Sequence, residues 1–126
     1  MFFERDKSHI TQTVGAIAEN RAEQFLQQQG LISRHKNYRC KVGEIDLIMM
    51  HRNTLIFVEV RLRTNRLFAN AAESVTLSKQ RKIIKAAQYY LQQYRLTDSI
   101  SCRFDVLAFG SQEQQPEWIQ DAFSAY

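Results

Sequence analysis

Between Gly43 and Arg63, apolar and polar positions alternate with a period of two, twice over. Ile45, Leu47 and Met49 alternate with Glu44, Asp46 and Ile48, and Val58, Val60 and Leu62 alternate with Phe57, Glu59, Arg61 and Arg63. A pleated strand imposes that period on its two faces. The stretch therefore reads as two strands joined by a tight reversal at His51-Arg52-Asn53-Thr54, where Asn53 is the residue that tolerates positive φ. A period near 3.6 marks two helices. The first is predicted from about Thr13 to Gln29, with Val14, Ile17, Ala18, Ala22, Phe25 and Leu26 as its apolar stripe. Thr11 or Thr13 can cap it and Gly30 stops it. The second runs from roughly Leu77 to Tyr94, with Gln80, Ile83, Ile84, Ala87, Leu91 and Tyr94 on one side and Thr76 or Ser78 as cap.

Two further strands complete the reading. Leu31–Cys40 is weakly patterned and basic, while Ile100–Phe109 sets Phe104, Val106 and Ala108 against Arg103, Asp105 and Leu107. Residues 1–10 read as a lead-in, Lys41-Val42-Gly43 as a turn, Thr64–Ala72 as a polar loop and Gly110–Pro116 as a turn. The aromatic tail reads as an edge strand or a turn of helix, so that 111–126 closes the fold. The order α-β-β-β-α-β predicts an α/β fold, a mixed sheet flanked by helices, in a single domain over 1–126. A helix crossing between the third and fourth strands makes that pair parallel.

A two-residue loop at Arg52-Asn53 sets the hairpin register. It places His51 opposite Thr54, Asp46 opposite Glu59 and Glu44 opposite Arg61. Directly opposed side chains lie about 4.5–5.5 Å apart at Cβ, where like charges destabilise. A hard divalent cation such as Mg²⁺ resolves an Asp–Glu pair; neutralisation by Arg61 and Arg63 is the plainer alternative. Periodicity alone makes Glu19 a solvated glutamate at the border of its helix stripe, and Asp105 a structural partner for arginine.

Composition narrows the class without choosing the partner. The 126 residues are 44% apolar and 24% charged, which excludes a disordered chain. Formal net charge is +4 and the pI is about 9.3, which permits a polyanion. On the second helix Lys79, Arg81, Lys82 and Lys85, and on the first strand Arg34, Lys36, Arg39 and Lys41, form either a solvated face or a set of phosphate contacts. The amino-terminal residues show no apolar run for a signal peptide, and no stretch approaches the roughly 20 apolar residues of a membrane helix. Cys40 and Cys102 read as half-buried, reduced strand thiols of a cytoplasmic protein. His9, His35 and His51 show no metal-ligand spacing, and four glycines form no phosphate loop.

The segments Gly43-Glu44-Ile45-Asp46-Leu47-Ile48 and Phe57-Val58-Glu59-Val60 carry a resemblance to a known family. Together with Gly15-Ala16-Ile17-Ala18-Glu19, Asn37-Tyr38-Arg39 and Arg103-Phe104-Asp105-Val106, they resemble the YraN family of small bacterial proteins, from about Val14 to Phe123. That family looks like a minimal member of the PD-(D/E)xK nucleases and is distantly similar to archaeal Holliday junction resolvases. The resemblance implies a restriction-endonuclease-like core and a metal-dependent phosphodiesterase site. Asp46 matches the first acidic ligand, Glu59 the second and Glu19 the helix glutamate of resolvase-like members. Those three acids and the Val60 carbonyl are then the expected ligands of Mg²⁺ or Mn²⁺. The chain departs from the pattern at Arg61, where lysine is expected. Arginine grips phosphate but holds its proton too tightly to act as a base, and Lys79 is the candidate substitute. Arg39, Lys41, Arg63, Arg81, Lys82 and Lys85 are the expected nucleic-acid contacts. The expected function is Mg²⁺-dependent endonuclease action on DNA, including branched DNA, for which a two-fold homodimer would suit. The alternatives are a nucleic-acid-binding module with a degraded site and a non-enzymatic interaction protein.

Overall fold

The computed structural model describes residues 14–62, 75–110 and 115–125. In chain order they form α1 (Val14–Gln28), β1 (Ile32–Cys40), β2 (Gly43–His51), β3 (Thr54–Leu62), α2 (Leu77–Gln93), β4 (Ser101–Phe109) and β5 (Glu117–Phe123). The strands build one five-stranded sheet in the order β1-β2-β3-β4-β5. Neighbours are antiparallel except β3 and β4, which run parallel across the α2 crossover. This is the predicted mixed sheet flanked by helices, consistent with a restriction-endonuclease-like core. The tail takes the strand alternative, as β5 paired to β4. The lead-in 1–10, Arg63, the Thr64–Ala72 loop and residues 111–114 lie outside the described residues.

Alternation along the central strands sorts the apolar side chains into two cores. Ile56 and Val58 of β3 pack with Ala18, Ala22 and Leu26 of α1. Leu55 and Phe57, the intervening positions, pack with Ile83, Ala86, Ala87 and Tyr90 of α2. Each helix therefore covers one face of the sheet. Burying a side chain the size of Leu26 or Phe57 contributes about 1.5–3 kcal/mol, which is why the strands with two covered faces read as near-continuous apolar runs.

The buried stripes differ from the predicted ones in phase. On α2 the covered positions are Ile83, Ala86, Ala87 and Tyr90, the i, i+3, i+4, i+7 set; Ile84 and Leu91 are partly buried, and Tyr94 is exposed. On α1, Val14 and Ile17 are exposed while Ala18, Ala22 and Leu26 are covered. Periodicity locates a stripe only to about one position, because the facing sheet chooses its centre. Of the thiols, Cys40 is half-buried, but Cys102 is exposed, and both are free.

Local chemistry ends each element. Gly30, at φ 97°, lets the chain leave α1: its N–H donates to the Gln27 carbonyl and that of Leu31 to the Leu26 carbonyl. This is the double bond of a Schellman cap, sealed by apolar contact of the residue beyond; Leu31 is buried with Leu26. In the β2–β3 turn the positive φ falls on Arg52, at 56°, rather than on Asn53. Hairpin loops of the II′ kind place it on the first central residue.

Gly43 opens β2 beneath α2. A Cβ there would lie 2.9 Å from the Lys82 carbonyl oxygen, which is helix backbone and cannot swing aside. Gly43→Ala is expected to lower stability by about 1–3 kcal/mol, the usual cost of overpacking. A denaturant melt checks this, and an unchanged midpoint would show that α2 yields without strain.

Candidate functional site

The hairpin register is the predicted one as far as it goes. Leu47 faces Val58, Ile48 faces Phe57 and His51 faces Thr54. Pairing between β2 and β3 then stops, although both strands continue. The start of β2 stays on β1, through Tyr38–Ile45, Arg39–Glu44 and Cys40–Gly43, while β3 stays on β4 as far as Leu62–Phe109. The two strands part like a fork, and Asp46 and Glu59 are the first residues past the last shared rung.

The fork is held open by an exchange of partners. A continued ladder would give the Val60 N–H to the backbone of β2; instead it donates to Asp46 Oδ2 at 2.8 Å. In an extended strand the carbonyl of a residue points to the same side as its N–H, so the Val60 carbonyl faces the same gap. The expected rung between Glu44 and Arg61 does not form. Glu44 pairs with Arg39 of β1 at 3.5 Å, across an exposed rung. The reason is the fork: among the described residues, the start of β2 pairs with β1 alone.

Lys79 and Arg61 reach this mouth beside Glu59. Glu59 is only 4% exposed. Burial, followed by the negative charge of Asp46, pushes its carboxyl up to about 8, against the pull of Lys79 and Arg61. Lys79 Nζ stands 3.7 Å from Glu59 Oε2 and Arg61 Nη1 3.5 Å from the same oxygen. Thr76, one of the two predicted caps, accepts from the Lys79 N–H at 3.2 Å and so fixes where α2 starts. A cation in a first helical turn is disfavoured by about 0.3–1 kcal/mol; facing Glu59 offsets that. The Arg61 Nε is buried and has no hydrogen-bond partner among the described residues.

Glu19 comes to Asp46 from α1. Its carboxyl is raised first by burial and then by the charge and hydrogen bond of Asp46, with a smaller push from Glu44, while a hydrogen bond from Asn37 lowers it. Sequence reasoning had no role for Asn37 at the site. It lies between Lys36 and Tyr38, which pair with Leu47 and Ile45, so Asp46 is its neighbour across the ladder. Its φ is 53°. The left-handed region costs an asparagine least after glycine, and that property, beside its place in the Asn37-Tyr38-Arg39 segment, was the available signal.

Asp46 is thus the shared acid, with Glu19 on one side and Glu59 on the other. Among the described residues, no group of three or more His, Cys, Asp and Glu side chains is gathered at metal-holding distance. The donor chemistry still suits a hard divalent cation. The charge of Asp46 raises the carboxyls of both Glu19 and Glu59, a conflict that positive charge relieves, and carboxylate oxygens are what such ions take.

The predicted nucleic-acid residues divide. Arg39, Lys41, Arg81, Lys82 and Lys85 are exposed. Lys36 is engaged by Asn20 at 2.6 Å and Glu23 at 3.2 Å, tying β1 to α1. Arg63 lies outside the described residues. Asp105 proves structural, fully buried and held by Arg103 through two hydrogen bonds of 2.9 and 3.0 Å. Among the described residues no helix is long and apolar enough to cross a membrane.

Comparison with known proteins places the same residues in one matched segment. The sequence profile of the family described as "Uncharacterised protein family UPF0102" matches residues 18–109, which include Glu19, Asp46, Glu59 and Lys79. A UPF0102 protein of Nitrosospira multiformis is 52% identical over 110 residues, covering 86% of this chain and 91% of that protein. One of Nitrosomonas eutropha is 50% identical over 113 residues, 90% of this chain and 95% of its own length. One of Legionella pneumophila is 41% identical over 116 residues, 92% and 98% of the two chains.

Proposed function

The chain belongs to the uncharacterised protein family UPF0102, the YraN family, and from that membership and the forked acidic cleft we propose a metal-dependent endonuclease acting on DNA, including branched DNA. The observation that carries this reading is the meeting of Asp46 and Glu59 where β2 leaves β3, with the Val60 N–H on Asp46 and Lys79 on Glu59. Asp46, Glu59, Glu19 and the Val60 carbonyl would hold Mg²⁺ or Mn²⁺. Such an ion, when bound, polarises a phosphoryl oxygen and makes water acidic enough to attack at neutral pH.

The chain's own groups do the rest. The Val60 N–H orients Asp46. Lys79 occupies the role the pattern gives to lysine, offsetting charge that builds on the phosphate. Arg61 grips a phosphate oxygen. The protein works in the cytoplasm, where Cys40 and Cys102 stay reduced.

Asp46→Asn is expected to lower Mg²⁺-dependent cleavage by at least about a hundredfold, with circular dichroism and melting temperature close to the parent's. Equal cleavage by parent and variant removes this site from the reaction.

One observation favours a second reading, a nucleic-acid-binding module that does not cut. Arg61 stands where lysine is expected and its guanidinium leans on Glu59 at 3.5 Å. Assaying parent and Arg61→Lys on branched, single-stranded and duplex DNA separates the two. Cleavage by the parent supports the nuclease, and cleavage gained only with lysine supports the binding module.

A further inference from the structure

The basic charge of this chain is concentrated on two elements that lie side by side. On α2 stand Lys79, Arg81, Lys82 and Lys85 with no acidic residue, and on β1 stand Arg34, Lys36 and Arg39, again with none, although Lys36 turns to Glu23 of α1 and Arg39 to Glu44. The whole chain is only +4, so the remainder is net acidic. Among the described residues β1 is an edge strand of the sheet. Lys82 packs on Gly43 at the start of β2, Lys41 Nζ lies 6.0 Å from the centre of the Tyr89 ring, and the Tyr38 hydroxyl donates to Gln93 at 2.9 Å. The helix therefore starts at the cleft, passes over Gly43 of β2 and meets β1 and its turn along its last turns.

Aromatic rings alternate with these cations. Lys82, Lys85 and Tyr89 recur at steps of three and four on the flank of α2 that faces β1 and its turn. At the far end Tyr94, 45% exposed, leans on Tyr90 with centroids 4.7 Å apart. Arg34 reaches Tyr90 by charge and hydrogen bond, and His35 meets that ring edge-on at 6.3 Å. A solvated helix face needs charge alone. Rings set among cations are what proteins use to hold single strands, because phosphates take the charge and every base offers a face for stacking. Duplex DNA, whose bases are already stacked, would use the lysines and leave the rings idle.

We propose that the α2–β1 face is a track for single-stranded nucleic acid, with bases on Tyr89 and Tyr94 and phosphates on Lys41, Lys82, Lys85 and Arg34. From Lys79 to Tyr94 the helix rise gives about 22 Å, room for several extended nucleotides. The track leads to Lys79 and so to Glu59. It rests on the nuclease reading only in taking the acidic cleft as its destination. The substrate is then a strand freed from its partner, as in a flap, gap or junction arm.

The test is fluorescence anisotropy in EDTA, with a labelled oligothymidylate and a labelled duplex of equal length. The single strand is expected to bind more tightly. Tyr94→Ala and Tyr89→Ala should each weaken it at least about fivefold, whereas Tyr94→Phe and Tyr89→Phe, which keep the ring, should bind as the parent does. Lys41→Ala with Lys85→Ala should reduce the slope of log affinity against log salt by about 1.4. Equal or stronger binding of the duplex, or no loss on removing the exposed Tyr94 ring, overturns the proposal. Binding without cleavage by the parent would then retire the hydrolytic reading alone, and cleavage indifferent to the rings would retire the track alone.

Discussion

The Glu59→Gln protein is expected to melt at a higher temperature than its parent at pH 8 without divalent ions, and to have lost Mg²⁺-dependent cleavage. Both effects come from one carboxyl. Folding raises it from 4.5 to about 8 by burial and by the charge of Asp46. A raised acid keeps its proton in the folded state while the unfolded chain has released it. Its penalty is therefore absent below about pH 4.5, grows as pH rises through the window and is complete above about pH 8. A displacement of that size is worth on the order of 4–5 kcal/mol. Glutamine is neutral at every pH and removes the penalty. Mn²⁺ should raise the parent's midpoint at pH 8, since it binds only the folded state, and should do so far less in the variant. Melts at pH 5, 6.5 and 8, with and without Mn²⁺, measure all of this. A parent curve flat in pH, with no gain in the variant, would mean that Glu59 is ionised and fully matched by Lys79 and Arg61.

Asp105→Ala should have the opposite consequence. This second buried carboxylate accepts from Arg103 Nε and Nη2, from Trp118 Nε1 at 2.9 Å and from the Asp121 N–H at 2.9 Å. Removing it strands a guanidinium, an indole N–H and a backbone N–H at once. Breaking one partner of a buried ion pair costs about 3–5 kcal/mol. The loss should fall first on β5, because Asp121 and Trp118 both hang from Asp105 and the β4–β5 register shifts beside it. Hydrogen exchange in residues 117–123 should quicken ahead of β3 and β4. Protection lost evenly across the sheet would count against this account. The two acids differ in supply: Asp105 is surrounded by donors, whereas Glu59 shares its space with another acid.

Much of the site was visible in the chain before any fold. The period of two in GEIDLIMM and LIFVEVRL, with a two-residue loop, dictates the rungs His51–Thr54 through Leu47–Val58. One rung further the same arithmetic brings Asp46 to Glu59. Neighbouring backbone does not reveal that this rung is missing as a ladder. The failure to pair depends on the Asp46 carboxylate taking the Val60 N–H, a contact across 14 residues. Asn37 went unseen for a similar reason, since only the β1–β2 register sets it beside Asp46 and Glu19.

The amino-acid sequence by itself determined both helices, the first four strands, the hairpin register and the parallel crossover, and it set Asp46 and Glu59 next in that register, because each follows from local period, turn length or handedness. Only the tertiary structure decided that β2 and β3 part at Asp46, that Lys79 arrives from the far helix, and that Glu44 turns to Arg39. Those outcomes depend on which backbone groups find partners once both faces of the sheet are covered, and that competition is settled by packing across the whole chain.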